Sequence, residues 1–366
     1  MQCVTPMVRF YQILPKELKN DPDIKPWQKI VPRNEVFYNL KNDENYLSRI
    51  QDLNYKFEQE GKDYRYQLIP CKHCWACNLR YAAEWATRIM CETKRHENNY
   101  FITLTYDDAH LPMFEKCTYT DKDGYKYEFE NDGTWMGTLE PKDVTRFIKT
   151  LRKHYERQGI QDIKYFYCGE YGTENGRPHY HMILMGAPLD PKQFYSLKLD
   201  DKKFCHWKSK ELEKWWNKGF VDVAEVEWAN CSYVARYCMK KINNENDPVK
   251  YAEAGKLKEF VRMSRRPSIG RIYYEENKDK IYDCDEIIQR NVSGKITSLK
   301  PPSAWDKLLK EQDPEKYEMI KTSRQASAER TRLAKKELMK GISDLEQLER
   351  AAQKVLQKGK LLPREL

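Results

Sequence analysis

The 366-residue chain has no apolar run long enough to span a bilayer. Its N-terminus, MQCVTPMVRFYQ, lacks the apolar core of a signal peptide. Both absences argue against membrane insertion and export, so the expected location is the cytoplasm in which the chain is made. There is no glycine-rich Walker loop ending in Gly-Lys-Ser/Thr, which excludes a nucleotide-driven motor of that kind. No internal repeat is visible, and histidine is scarce, with seven in the whole chain. What is abundant is charge: 33% of residues are charged and the formal net charge is +9. Mean hydropathy is −0.90, yet 40% of residues are hydrophobic and 13% aromatic. That combination describes a folded protein with a charge-rich surface, not a disordered chain. The positive surplus suits a polyanionic partner, and 25 Tyr with 9 Trp supply flat surfaces on which bases stack. Eleven cysteines in a reducing compartment point to metal before disulfides wherever they cluster.

Three regions follow from composition. Residues 1–66, broken by Pro15, Pro22, Pro26 and Pro32, read as an irregular N-terminal lobe. Residues 67–300 hold the patterned core, and 301–366 a charged helical extension. The core opens with Cys71, Cys74 and Cys77 ahead of a helical stripe Leu79, Ala82, Ala83, Ala86, Ile89, Met90. Three thiols so spaced can wrap a structural Zn²⁺, with Cys3 as the preferred fourth ligand and His73 or Cys91 in reserve. An iron–sulfur cluster is disfavoured because no fourth cysteine lies close in sequence. Tyr100–Asp107 alternates as a strand, and residues 113–138, with Asp123-Gly124 and Asp132-Gly133, form a hairpin insertion. Pro141 opens a helix striped with Val144, Phe147, Ile148, Leu151 and Tyr155. A strand at Ile163–Cys168, a Gly-rich loop at Gly169–Pro178 and a strand at His179–Met185 follow. Further on come a short helix at Lys208–Asn217, a strand at Phe220–Val226 and a helix at Cys231–Ile242 with Asn230 as N-cap. In the tail, Asp313-Pro314 starts one helix, Gly341 stops it, and Ser343 with Glu346 caps another. Strands and helices without strict alternation indicate an α+β fold on an antiparallel sheet.

The chemistry centres on His179-Tyr180-His181. Alternate side chains on a strand share a face, so the two imidazoles point the same way, as a metal pair requires. The plain alternative is two half-buried strand residues with hydrogen-bonded rings. Glu170, nine positions upstream, can supply a carboxylate by folding back through Gly172 and Gly176. Two imidazoles and one carboxylate make an open site for Mg²⁺ or Mn²⁺. On the helix CSYVARYCMKKI, Tyr233 and Tyr237 lie four apart on one face, with Lys240 and Lys241 one turn on. A tyrosine hydroxyl, with a pKa of about 10, attacks a phosphodiester only when polarised, and a neighbouring lysine can help. In-line attack would leave a 5′-phosphotyrosine and a free 3′-hydroxyl, a reversible exchange that two tyrosines can perform in succession.

FITLTYDD, GEYGTENGRPHYH and YVARYCMKK, in that order, resemble the three motifs of the HUH rolling-circle replication initiators. The similarity is greatest to the initiators of gokushovirus-like microviruses, which are single-stranded DNA phages. PCKHCWAC and RMSRRPSIG (262–270) resemble that group too, and the likeness spans roughly residues 70–275. It implies a Rep-type fold, with a central antiparallel sheet of about five strands flanked by helices. It also implies site-specific nicking of the phage origin, with His179 and His181 as metal ligands and Tyr233 and Tyr237 as nucleophiles. Tyr180 stands where the family usually has an apolar residue. For the third ligand Glu170 is preferred, with Asp107 or Asp108 as alternatives. The expected partners are single-stranded and origin DNA, held by Arg177, Arg236, Lys240, Lys241, Arg265 and Arg266. Lacking a motor, such a protein would leave unwinding to a host helicase and extension to a host polymerase, all in the host cytoplasm. A single-strand transposase or relaxase shares the chemistry, but relaxases usually carry three histidines and an N-terminal tyrosine. A zinc-stabilised DNA-binding protein is the non-enzymatic alternative.

Overall fold

The computed structural model describes residues 3, 6–14, 27–31, 42–61, 63–72, 74–120, 123–172, 175–199, 205–240, 247–290 and 296–360. The chain divides into two compact units, one of Met1–Tyr81 with Met319–Glu365 and the other of Ala82–Glu318.

The first unit holds more regular structure than the proline-broken N-terminal sequence suggests. Strands β1 (Met7–Gln12) and β2 (Gln28–Val31), helix α1 (Tyr46–Gln59) and strand β3 (Tyr64–Ile69) build an antiparallel sheet in the order β2-β1-β3. Its small core gathers Val8, Val31, Leu47 and Ile50 around Leu348 from the C-terminal segment. Helix α2 (Trp75–Thr93) follows the cysteine turn.

The second unit is organised on a seven-stranded, fully antiparallel sheet. In chain order its elements begin with β4 (Asn99–Thr105), the hairpin strands β5 (Lys116–Thr120) and β6 (Lys126–Glu130), and α3 (Pro141–Glu156). Next come β7 (Lys164–Tyr171), β8 (Pro178–Met185), β9 (Phe194–Leu199), β10 (Cys205–Ser209), α4 (Lys210–Trp216), β11 (Val221–Glu225) and α5 (Trp228–Lys240). They are followed by α6 (Asp247–Glu253), β12 (Phe260–Met263), α7 (Arg271–Cys284), β13 (Ile287–Arg290), β14 (Ile296–Leu299) and α8 (Ser303–Gln312). Helices α9 (Pro314–Leu338) and α10 (Asp344–Lys360) complete the tail. The sheet order is β12-β7-β8-β4-β11-β10-β9. The class is therefore α+β, and the sheet is wider than the roughly five strands first expected. Among the described residues, β9, β10 and β12 are strands that the hydrophobic pattern had not revealed; β9 lies at one edge and β12 at the other, where half-exposed residues blur alternation.

One face of the sheet is the main core. Ile102, Leu104, Tyr167, Tyr180, Met182, Leu184, Val221 and Val223 pack against Val144, Phe147, Ile148, Leu151 and Tyr155 of α3. Helix α3 starts where Glu140 caps it, the side chain accepting the Lys142 N–H, with Pro141 in the first turn. Burial of each large apolar side chain contributes about 1.5–3 kcal/mol, which anchors the helix and leaves the opposite face of β8 free for chemistry. No helix among the described residues is long and apolar enough to cross a membrane.

Candidate active site

Strand period puts His179 and His181 on the face opposite Tyr180, and the sheet register supplies the rest. Glu170 of β7 pairs directly with His179 and Cys168 with His181, while on the other side β4 sets Thr105 against His179 and Thr103 against His181. The acid thus arrives from a paired strand, not from a Gly-rich loop: β7 continues through Gly169 and Glu170 to Tyr171. Gly169 had looked like a strand breaker. Its role is close packing, since a Cβ there would press on Leu139 and on the Phe260 ring.

The Glu170 Oε1 atom is the hub. It lies 3.0 Å from His179 Nε2 and 2.8 Å from His181 Nε2, and it accepts the Tyr233 hydroxyl at 2.9 Å. Glu170 is 2%, His181 7% and Tyr233 4% exposed, so the hub is largely shielded from water. Ligand atoms of Glu170, His179 and His181 all lie within 4.8 Å of one another. Burial pushes the His181 pKa down and the charge of His179 pushes it further, against the opposing pull of the Glu170 hydrogen bond and charge. A neutral His181 keeps a lone pair for a ligand.

The outer partners of both rings suit a cation. His179 Nδ1 is 3.2 Å from the Arg177 carbonyl oxygen, which can only accept, so this nitrogen carries a proton. In the neutral ring Nε2 is then a bare lone pair facing a carboxylate oxygen. Only a proton or a metal ion between them resolves that contact. His181 Nδ1 has Thr103 Oγ1 at 3.0 Å, and the ring stacks on Phe101 with centroids 5.4 Å apart. A ring nitrogen held by carbonyl or hydroxyl while its twin faces a carboxylate is the usual setting of metal-binding histidines.

Tyr233 reaches the site from α5, its ring edge-on to His181 with centroids 5.3 Å apart. That helix begins at Trp228, three residues before the sequence-based start. Asn230 is its third residue, where its Oδ1 accepts the Glu227 N–H, the back-reaching half of a capping box. Tyr237 lies one turn beyond Tyr233 on the same helix, and its side chain, like that of Lys240, falls outside the described residues, as does the whole of Lys241. Of the other carboxylates considered, Asp107 takes the backbone and ring N–H of His110, and Asp108 pairs with Arg177 at 2.6 Å. The structure therefore brings Glu170, and neither aspartate, to the imidazoles.

The basic residues are dispersed. Arg177 also donates to the Tyr106 carbonyl at 3.1 Å, Arg236 sits over the Tyr233 ring at 5.5 Å, and Arg265 and Arg266 are exposed beside β12. Two features had escaped the sequence reading. Thr103, the partner of His181, was visible only as the polar alternate of FITLTYD. Tyr180 joins a buried polar chain: it accepts the Glu140 N–H at 2.7 Å and shares a 3.1 Å hydrogen bond with Tyr106, which donates to Asp143 at 3.1 Å. The tyrosine in the middle of the His pair thus secures the strand from behind.

In the first unit Cys3, Cys71, Cys74 and Cys77 are buried together, with ligand atoms within 4.8 Å of one another. Cys91 is elsewhere, its sulfur accepting from Gln289 at 3.7 Å, and His73 lies outside the described residues.

An antiparallel α+β scaffold that presents paired imidazoles, a carboxylate and a tyrosine hydroxyl on one sheet face is a frame for phosphodiester chemistry, and the comparisons define its class. Residues 99–242, which span β4 to α5, match the family model of the phage replication-associated protein ORF2. The chain is 32% identical to "Replication-associated protein ORF2" of Spiroplasma virus 4, over 78% of this chain and 84% of that one. It is 25% identical to "Replication-associated protein VP4" of Bdellovibrio phage phiMH2K, covering 73% and 75% of the two chains. With "Replication-associated protein ORF4" of Chlamydia phage 1 it shares 29% identity over 47% of this chain and 38% of that one. No solved structure is a significant match. The chain belongs to the replication-associated proteins of gokushovirus-like phages.

Proposed function

We propose that this protein is the replication initiator of a single-stranded DNA phage, nicking one strand at the origin and later rejoining it. The observation that carries the reading is the Tyr233 hydroxyl donating, at 2.9 Å, to the same Glu170 oxygen that faces both His179 and His181. A nucleophile, a proton acceptor and a metal-binding face converge on one point.

His179, His181 and Glu170 would hold Mg²⁺ or Mn²⁺, whose charge, when bound, polarises the scissile phosphodiester and offsets negative charge on its oxygens. The remaining chemistry belongs to the chain. Tyr233, or Tyr237 one turn on, forms a bond from its phenolic oxygen to phosphorus as the bond from phosphorus to the 3′ oxygen breaks. The phenolic proton of Tyr233 passes to Glu170 along the hydrogen bond already in place, and the departing 3′ oxygen takes a proton from water. The 5′ end stays on the tyrosine, and the free 3′-hydroxyl serves as primer for a host polymerase behind a host helicase. Attack of a 3′-hydroxyl on the phosphotyrosine reverses the step and circularises the product. Lys240 and Lys241, on the tyrosine helix and just beyond it, stabilise phosphate charge, and Arg177, Arg236, Arg265 and Arg266 steady the DNA.

The test is a single-stranded origin oligonucleotide incubated with protein and Mn²⁺ or Mg²⁺, followed by a denaturing gel. A covalent protein–DNA adduct is expected from wild type and none from the Tyr233→Phe/Tyr237→Phe double variant. Equal adduct from both would remove the nuclease reading.

A further inference from the structure

We propose that Cys3, Cys71, Cys74 and Cys77 bind one zinc ion in a closed, four-thiolate structural site. The backbone builds it from two directions. Strand β1 pairs antiparallel with β3, Met7 opposite Ile69, so the residues before β1 run alongside those after β3. That register carries Cys3 to the turn bearing Cys71 and Cys74, and Cys77 enters from the first turn of α2. Lys72 supplies the tight corner, with a left-handed φ of 64° that non-glycine residues seldom adopt.

The sulfur spacing decides what the cluster can be. Cys3 Sγ lies 3.6 Å from Cys71 Sγ and 3.6 Å from Cys74 Sγ. A disulfide needs about 2.05 Å, so these pairs are not bonded to each other. Four sulfurs placed about 2.3 Å from a central zinc are separated by about 3.8 Å along each tetrahedral edge. The observed separations match one ion at the centre. They leave no room for the several irons and bridging sulfides of a cluster. Backbone amides complete the shell: the Cys74 N–H donates to Cys71 Sγ at 3.2 Å and the Cys71 N–H to Cys3 Sγ at 3.4 Å. Such donors orient and stabilise ligating thiolates. All four residues are buried, and the four-sulfur set suits zinc over the hard ions preferred by a carboxylate-containing site. The site is closed, with no position for water or substrate, which marks it as structural.

The first unit has need of such an ion. Its core cluster comprises five buried residues, Val8, Val31, Leu47, Ile50 and Leu348, a small number for independent stability. The site ties residue 3 to residues 71–77, closing a loop of 68 positions between Cys3 and Cys71, so metal affinity becomes folding free energy for β1 to β3.

The inference uses no part of the nicking reading. The experiment is elemental analysis of the full-length protein after exhaustive desalting, alongside Cys3→Ser, Cys74→Ser and Glu170→Gln variants. About one zinc per wild-type chain is expected, falling roughly tenfold or more in either serine variant and unchanged in Glu170→Gln. Where a serine variant fails to fold, wild type is titrated with a thiol-reactive mercurial, which should release its zinc as these thiols are modified. Cobalt substitution should give the intense visible absorption of a tetrahedral thiolate complex. Unchanged zinc in Cys3→Ser or Cys74→Ser, iron in place of zinc, or wild type without metal would each overturn the assignment.

Discussion

At the scale of single residues, the site depends on atoms that never touch DNA. Thr103 Oγ1 holds the far nitrogen of His181, so Thr103→Val, nearly the same in shape, removes only that hydrogen bond. We expect Mn²⁺ affinity and adduct formation to drop about 10–100-fold, measured by calorimetry and by the gel assay, with the unfolding midpoint little changed. Tyr180→Phe should behave in the opposite way. It leaves the buried Glu140 N–H without its acceptor and Tyr106 without its partner, and should cost about 1–3 kcal/mol in chemical denaturation. Adduct formation by the folded fraction should persist, because the hydroxyl lies behind the strand, away from Glu170. His179 and His181 were legible in the sequence because a two-residue period on a strand needs no tertiary information. Thr103 was not, because threonine in a strand is ordinary and only the register across β4 and β8 gives it a partner.

At the scale of elements, helices with strong stripes or caps were readable, as with Pro141 to Tyr155 and the capping Ser343, whose Oγ accepts the Glu346 N–H at 3.2 Å. Strand ends were less so, because Gly169 signals a turn in sequence but serves packing in space. Gly219, between α4 and β11, has φ 146°, and a Cβ there would collide with the backbone of Thr105 and Asp107 at the end of β4. Gly219→Ala should therefore destabilise by about 1–3 kcal/mol, read from urea unfolding. The contact of α2 with the start of α7 adds an acid-sensitive link. Glu92 is 1% exposed; burial opposes its charge, but hydrogen bonds from His96 and the Gly270 N–H, with the charges of His96 and Arg95, outweigh that and lower its pKa. A carboxyl depressed in the folded state stabilises fully above its unfolded pKa of about 4.3 and loses that contribution as pH falls through the lower folded value. Unfolding followed from neutral pH downward should show wild type losing stability below about pH 4.3, with a shallower acid limb in Glu92→Gln.

At the scale of the whole molecule, the charge of +9 makes DNA affinity a function of salt. Replacing Arg265 and Arg266 together by alanine should lower the slope of log affinity against log salt by roughly 0.7 per lost phosphate contact on single-stranded DNA. An unchanged slope in fluorescence titrations would place the grip elsewhere. Composition signalled a polyanion without saying where it lies, since dispersed arginines have no sequence period. The pairing of Glu170 with His179 across β7 and β8 has a further consequence. Because adjacent hydrogen-bonded strands fix the three ligands, the segment joining those strands contributes nothing to their spacing. Natural variants of this protein should tolerate insertions and deletions between positions 172 and 177, whereas a single-residue deletion inside either strand would turn the ligands to the opposite face. The turn is thus the place where such a phage could alter its initiator's target preference without rebuilding its cutting edge.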